Sequence, residues 1–274
     1  MKRRDFNRRL APLFATTGLM PRLLAADQKV MGKMDHLHDS VPQGPPQQIA
    51  MLAYPNMTAL DLIGPQTFLA GLGNVEVHLV WKKTELISTD SGLRLLPSKS
   101  FEDCPKDLEI LFVPGGSKGT IALMNDSDVI AFLAERGARA KYVTSVCTGS
   151  MLLASAGLLS GYNATSHWAV RPLLPLLGAK LAPGRVVEDR NRITAGGVTA
   201  GIDFGLVLAA RLRDRNYAQM LQLAFEYDPH PPFTAGNPET APEPIVTHIR
   251  ERYTPMLAAY KEAAAKARAR LQTV

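Results

Sequence analysis

Lys141-Tyr142-Val143-Thr144-Ser145-Val146-Cys147-Thr148-Gly149-Ser150 joins two kinds of local structure in a few residues. Its first half is β-branched and aromatic and predicts a buried strand. The apolar Met151-Leu152-Leu153-Ala154 that follows predicts a helix ending at Gly157. Cys147 stands between them, at a sharp strand-to-helix turn. There, unpaired N–H groups and the helix dipole favour a thiolate. The arrangement is the cysteine counterpart of the serine nucleophile elbow, without the full Gly-x-Ser-x-Gly pattern. A free cysteine is also among the most buried residue types, so the local sequence admits Cys147 both as a nucleophile and as a small core residue.

Outward from this turn the same alternation repeats. Ile49-Ala50-Met51-Leu52-Ala53-Tyr54 predicts a short apolar strand stopped by Pro55. A helix is expected within 58–72, where Leu60, Ile63, Phe68 and Leu72 fall at helical spacing, with Pro65 in its first turn. Asp61 is expected in the connection just before it. Strands are predicted over 75–81 and 108–113, the latter running into Pro114-Gly115-Gly116, and a small hairpin turns around Ser91-Gly92. Helices follow over 126–136 and 169–177. Two strands flank Arg190-Asn191, and Gly196 to Gly201 opens a helix over 202–212. Strands alternating with helices, with glycines after several strands, indicate an α/β fold with a mainly parallel sheet and helices on both faces. Sites in such sheets collect at the carboxyl ends of strands. Asp61, Gly115-Gly116 and Cys147 all follow strands, which strengthens the nucleophile reading.

Composition bounds the function. Of 274 residues, 46% are hydrophobic and 20% charged, ordinary for a globular protein. Two cysteines, Cys104 and Cys147, are too few for a disulfide framework or a cysteine zinc site. The formal charge of +6 comes mostly from residues 1–26, which hold six Lys/Arg and one Asp. The remaining 25 basic and 24 acidic residues nearly balance, leaving no general electrostatic reason to bind nucleic acid. Met1–Ala26 reads as an export signal rather than a plain basic tail: a basic start, a short apolar run from Leu10 to Met20, and Leu24-Ala25-Ala26 as a candidate cleavage site, where Leu24 stands in place of the usual small residue and leaves an uncleaved anchor open. Arg3-Arg4-Asp5-Phe6 resembles the twin-arginine motif, so the export machinery is an expected partner and the periplasm the expected location. Residues 27–47 read as a polar, proline-bearing linker, 48–228 as the folded domain, and 229–274 as a proline-rich arm with a C-terminal helix. That helix is expected as one or two pieces broken at Pro255. No helix-turn-helix pair of adequate length follows the domain.

A cysteine nucleophile needs a group to move protons and donors for developing charge. Asp61 is a candidate to contact the thiol and hand a proton to a reacting carbon, and it is equally a candidate N-cap of its helix. The main-chain N–H groups of Gly115 and Gly116 can approach a ligand closely because no side chain blocks them, although a tight turn needs the same residues. Thr148 offers a hydroxyl to orient water. His167 is a candidate base or donor, or a structural histidine. Asp203 reads as structural, and Gly196-Gly197-x-x-x-Gly201 matches a phosphate loop only weakly. No metal or organic cofactor is expected.

Five stretches together resemble the ThiJ/PfpI superfamily: Ala59-Leu60-Asp61-Leu62-Ile63-Gly64-Pro65, Val113-Pro114-Gly115-Gly116, Ser145-Val146-Cys147-Thr148-Gly149-Ser150, Ala154-Ser155-Ala156-Gly157-Leu158-Leu159 and Ala164-Thr165-Ser166-His167-Trp168. The resemblance covers most of residues 48–244 and implies a flavodoxin-like domain related to class I glutamine amidotransferases. Gly201-Ile202-Asp203-Phe204 and Phe225-Glu226-Tyr227-Asp228-Pro229-His230-Pro231-Pro232-Phe233 are similar to its isonitrile hydratase branch. That similarity implies a homodimeric, cofactor-independent enzyme acting on a small molecule. By position it implies Cys147 as nucleophile, Asp61 as its acid–base partner and Thr148 as holder of the attacking water. The thiolate would attack an isocyanide carbon to give a thioimidate, Asp61 would supply a proton, and water would release an N-substituted formamide. Protease-like members carry His directly after the cysteine. Thr148 stands there in this chain, which argues against peptide cleavage. Other uses of such a site stay open: an amide or glyoxal-type hydrolase, or a non-catalytic redox or ligand sensor.

Overall fold

The computed structural model describes residues 40–273, so the expected leader and most of the linker lie outside the described residues. Five strands form the parallel heart of a seven-stranded sheet: β1 (Gln47–Leu52), β2 (Val75–Trp81), β6 (Ile110–Val113), β7 (Tyr142–Val146) and β11 (Arg192–Ala195). Short β5 (Lys99–Ser100) extends one edge in parallel, and β10 (Val186–Asp189) closes the other as an antiparallel hairpin with β11. The order is β10-β11-β7-β6-β1-β2-β5. Ile49–Leu52 and Ile110–Val113 are fully buried, as expected of central strands covered on both faces. The predicted hairpin forms as β3 (Ile87–Ser88) and β4 (Arg94–Leu95), and β8 (Asn163–Ala164) pairs with β9 (Lys180–Leu181) in a further small ribbon.

This order places the site. From β1 the chain moves to one side, to β2. From β6 it moves to the other, to β7. Beyond the carboxyl ends of β1 and β6 the connections therefore diverge and leave a crevice, the usual ligand position in an open α/β sheet. Asp61 lies beyond β1, Gly115-Gly116 beyond β6 and Cys147 beyond β7.

The helices are α1 (Ala59–Ala70), α2 (Ser117–Leu123), α3 (Ser127–Arg139), α4 (Gly149–Ser155), α5 (Ala200–Leu212), α6 (Arg215–Ala224) and α7 (Glu243–Leu271). Several expectations change. Pro65 lies inside α1 rather than in its first turn, so it offers no N–H to the Asp61 carbonyl one turn earlier. Its ring fits there because Gly201 of α5 faces it. A Cβ at 201 would stand 3.1 Å from the ring carbons, so this glycine lets the two helices close. Residues 171–177 form a 3-10 helix rather than part of an α-helix over 169–177, consistent with Pro172 and Pro175 removing two donors. α7 runs unbroken through Pro255. Its buried Tyr260, Ala263, Ala264 and Ala267 join the main core, and that packing outweighs the proline cost. None of the described helices is long and apolar enough to cross a membrane.

Candidate active site

The turn after β7 holds Cys147 at φ +57°, in the left-handed region. For a residue with a side chain this costs roughly 1–2 kcal/mol, and the surroundings overdetermine it. The Cys147 N–H donates to the carbonyls of Ala195 (3.1 Å) and Gly196 (2.9 Å) at the end of β11. Its carbonyl accepts the hydroxyls of Ser166 (2.9 Å) and Ser150 (3.2 Å). Four contacts from three segments hold a strained nucleophile-elbow geometry at a side chain only 5% exposed.

Asp61 reaches the same point from α1. It lies within the helix rather than in the connection before it. Thr58 is the N-cap, and Asp90 from the β3–β4 hairpin supplies the missing acceptor, taking the Thr58 hydroxyl (2.8 Å) and the Ala59 N–H (3.3 Å). Asp61 is therefore released from capping. It is fully buried. Its Oδ2 accepts the Gly115 N–H at 3.0 Å, and its Oδ1 has no hydrogen-bond partner among the described residues. The Cys147 thiol lies within interaction range of this carboxyl.

Gly115 sits between the two. A Cβ there would stand 2.7 Å from Asp61 Oδ2, 2.8 Å from Cys147 Cβ and 2.6 Å from the Thr148 nitrogen, so only glycine lets the three groups converge. The expected role of the two glycine amides changes. Rather than waiting for a ligand, Gly115 N–H is engaged by Asp61, and Gly116 N–H donates to Thr148 Oγ1 at 2.9 Å. They position the side chains that face the chemistry. The N–H groups directed at the sulfur come instead from Thr148 and from Val198, in the glycine loop after β11.

Electrostatics also departs from expectation. Burial pushes the Asp61 carboxyl up to about 7, against the lowering effects of Cys147 and the Gly115 amide. Burial and the neighbouring Asp61 charge push the Cys147 thiol well above its ordinary range, despite the Val198 and Thr148 N–H groups. The expected thiolate at a helix N-terminus is thus not the resting form. Desolvation of the sulfur outweighs one short helix, α4. The pair keeps both protons in acid, and above about pH 7 it shares one.

His167 follows Ser166, whose hydroxyl holds the Cys147 carbonyl. It lines a cleft of about 790 Å³ together with Trp168, Arg171, Arg185, the Gly196–Ala200 loop and Gly236–Glu239 of the proline-rich arm. Its Nδ1 accepts the Ala169 N–H (3.3 Å), so in the neutral ring Nε2 carries the proton. Burial lowers its pKa, which keeps it neutral at pH 7. Its Nε2–H is a donor available to the cleft. Asp203 binds Arg185 and the Tyr227 hydroxyl and is structural. No group of three or more metal-ligating side chains occurs among the described residues.

Several participants escaped the sequence reading. Ser150 and Ser166 secure the Cys147 carbonyl, Asp90 frees Asp61, and Tyr54, Thr120 and Tyr260 gather behind Thr148. The paired glycines 196 and 197 were the visible signal for the loop that brings up Val198. Gly197 packs so tightly on His167 that a Cβ would stand 2.4 Å from its ring.

Known proteins resemble this chain in sequence and fold. The family model described as DJ-1/PfpI matches residues 47–211. An isonitrile hydratase of Pseudomonas putida is 48% identical over 224 residues, which is 82% of this chain and 97% of that protein. The crystal structure of a ThiJ/PfpI family protein from Pseudomonas syringae aligns with a TM-score of 0.80 at 46% identity, covering 90% of this chain and 97% of the other. The HTH-type transcriptional regulator GbdR of Pseudomonas aeruginosa is 27% identical over 194 residues, and the match spans only 51% of the regulator. A cysteine held at positive φ beyond the middle of a parallel sheet, a buried carboxylate beside it, and a family match over more than half of the sequence lead to one conclusion: this chain belongs to the DJ-1/PfpI family.

Proposed function

We propose that this chain is an isonitrile hydratase-like hydro-lyase that adds water to an isocyanide through Cys147. Support comes from the 48% identity to an isonitrile hydratase along nearly its whole length. The structural observation behind the mechanism is the sealed Asp61–Cys147 pair, whose carboxyl has one unpartnered oxygen.

The reaction uses the pair in its single-proton form. The Asp61 carboxylate takes the Cys147 thiol proton as sulfur bonds to the terminal isocyanide carbon, and the proton passes to that carbon. The product is a thioimidate on Cys147. Water held at Thr148 adds to the thioimidate carbon while Asp61 removes one of its protons and delivers it to nitrogen. The C–S bond then breaks, the remaining hydroxyl proton returns to sulfur, and an N-substituted formamide leaves. General acid–base transfer of this kind contributes about 10²–10⁴-fold. Only above the Asp61 value of about 7 does the pair lose its extra proton. The rate at limiting substrate should therefore rise with pH up to about 7 and then level off. A redox-sensor reading requires a readily ionised thiol, and burial opposes that.

Cyclohexyl isocyanide incubated with the purified protein tests the proposal by formamide yield. Product from the wild type and none from Cys147→Ala is expected; no product from the wild type, or equal product from both, overturns it. The proposal also includes export by the twin-arginine machinery to the periplasm, supported by Arg3-Arg4-Asp5-Phe6, and a homodimer. Arg3→Lys/Arg4→Lys should leave precursor in the cytoplasm on fractionation, and light scattering should give about twice the chain mass.

A further inference from the structure

Behind Thr148 three hydroxyls form a buried chain, with a fourth, from the last helix, beside it. Tyr54 Oη donates to the Pro114 carbonyl at 2.9 Å and lies 3.0 Å from Thr120 Oγ1. Thr120 Oγ1 lies 2.8 Å from Thr148 Oγ1. Tyr260 Oη of α7 donates to the Ser117 carbonyl at 3.2 Å, near both threonine hydroxyls. All four residues are sealed from water: Tyr54, Thr120 and Tyr260 are 0% exposed and Thr148 is 4% exposed. Tyr260 lies beyond the 47–211 segment that matches the family model.

Proton counting gives this chain a direction. A carbonyl oxygen only accepts, so the Tyr54 and Tyr260 protons are committed to Pro114 and Ser117. Thr120 has one proton, and the Tyr54 oxygen is the acceptor open to it. The Thr148 proton must then point inward, to Thr120. Gly116 N–H occupies one Thr148 lone pair. One lone pair is left, and no proton.

We infer that this hydroxyl chain fixes Thr148 as an acceptor toward the reacting centre. Thr148 holds the attacking water by taking one of its hydrogen bonds, which turns the water's oxygen toward the thioimidate carbon. Thr120 is a positioning residue. Its buried oxygen, 2.8 Å from Thr148 Oγ1, keeps the Thr148 proton turned inward and acts through Thr148 without touching substrate. The inference rests on the hydratase reading and deepens it: the chain serves the second half of the reaction, water addition, and leaves attack by Cys147 untouched. Without an inward acceptor the Thr148 proton rotates outward, and the hydroxyl then donates to the water's oxygen and blocks its lone pair.

The test separates the two halves with the full chain and cyclohexyl isocyanide. Formamide release is followed alongside rapid-quench intact mass of the protein, which reports an adduct of one isocyanide on Cys147. For Thr120→Val, which removes the inward acceptor, kcat should fall about tenfold or more, while the adduct rises from a trace to the main form of the enzyme. Thr120→Ser, which keeps the hydroxyl, should restore wild-type behaviour. An unchanged kcat in Thr120→Val, or a lowered kcat without adduct, overturns the inference. If Thr120→Val does not fold, Thr120→Ala decides by the same readout. A wild type that gives neither formamide nor adduct sinks the hydratase reading itself and this inference with it. A wild type that turns over while Thr120→Val or Thr120→Ala releases formamide normally sinks the inference alone.

Discussion

Cys104 and Cys147 make an instructive pair. Both are nearly closed off from water, at 3% and 5% exposure, and burial raises both thiols. Cys104 sits in the loop between β5 and β6, with its thiol 3.5 Å from the Pro105 carbonyl and its own carbonyl accepting from Arg136. An arginine beside it works against burial, and its thiol is turned to a main-chain carbonyl rather than to a carboxyl. Cys147 has less favourable electrostatics for ionisation, because a carboxylate is its neighbour. What distinguishes it is the strained φ of +57°, N–H groups of Val198 and Thr148 aimed at the sulfur, and a carboxyl that titrates near neutrality. A nucleophile in this fold is made by a proton acceptor in contact and by a backbone that directs the sulfur, not by ease of ionisation.

The comparison breaks if the wrong cysteine matters. Cys147→Ala should lower formamide formation by at least about 10³-fold, while Cys104→Ala should stay within about twofold in rate and cost about 1 kcal/mol of stability in denaturant titration. Equal losses would mean that burial, not geometry, is the shared requirement.

Asp61→Asn should come next, with about 10²–10⁴-fold lost from kcat, and it carries an opposite signature in stability. The folded carboxyl holds its proton up to about 7, whereas an unfolded Asp releases it near 4. Folding therefore takes up a proton between these values. This contribution to stability is whole below pH 4 and gone above pH 7. Asn is neutral throughout, so the variant should gain on the wild type as pH rises from 4 to 7, by on the order of 2–4 kcal/mol at pH 8. Melting curves across that range check the sign, and a constant difference would mean that Asp61 is ionised at all these pH values.

Gly115→Ala sharpens the comparison from the backbone side. The added methyl would meet Asp61, Cys147 and Thr148 at once, so about 10²-fold should be lost from kcat and about 1–3 kcal/mol from stability. Smallest is His167→Ala. Because His167 lines the cleft and its ring donates toward it, KM should rise a few-fold with kcat within about threefold. A large loss confined to kcat would return His167 to the chemistry.

Legibility followed locality. β1, β6 and β7 were readable because strands buried on both faces must be continuous apolar runs, and Cys147 was readable because a strand-to-helix turn has a local pattern. Helix detail was less so. Pro65 and Pro255 lie inside α1 and α7, because packing on Gly201 and on the core through Tyr260 to Ala267 outweighs a local rule. Capping of α1 by Asp90 was invisible, since the cap comes from a hairpin about thirty residues away.

The amino-acid sequence alone determined the α/β class, the family resemblance, and the set of Asp61, Gly115, Gly116, Cys147 and Thr148 following strands. These depend on residue type and short-range spacing. The tertiary structure decided which protons are held and where they point. Burial raises Asp61 and Cys147 together, the glycine amides are engaged by Asp61 and Thr148, and Thr120 of α2 meets the Thr148 hydroxyl. Desolvation and hydrogen-bond direction depend on every atom packed around a group, and those atoms come from segments that no local pattern relates.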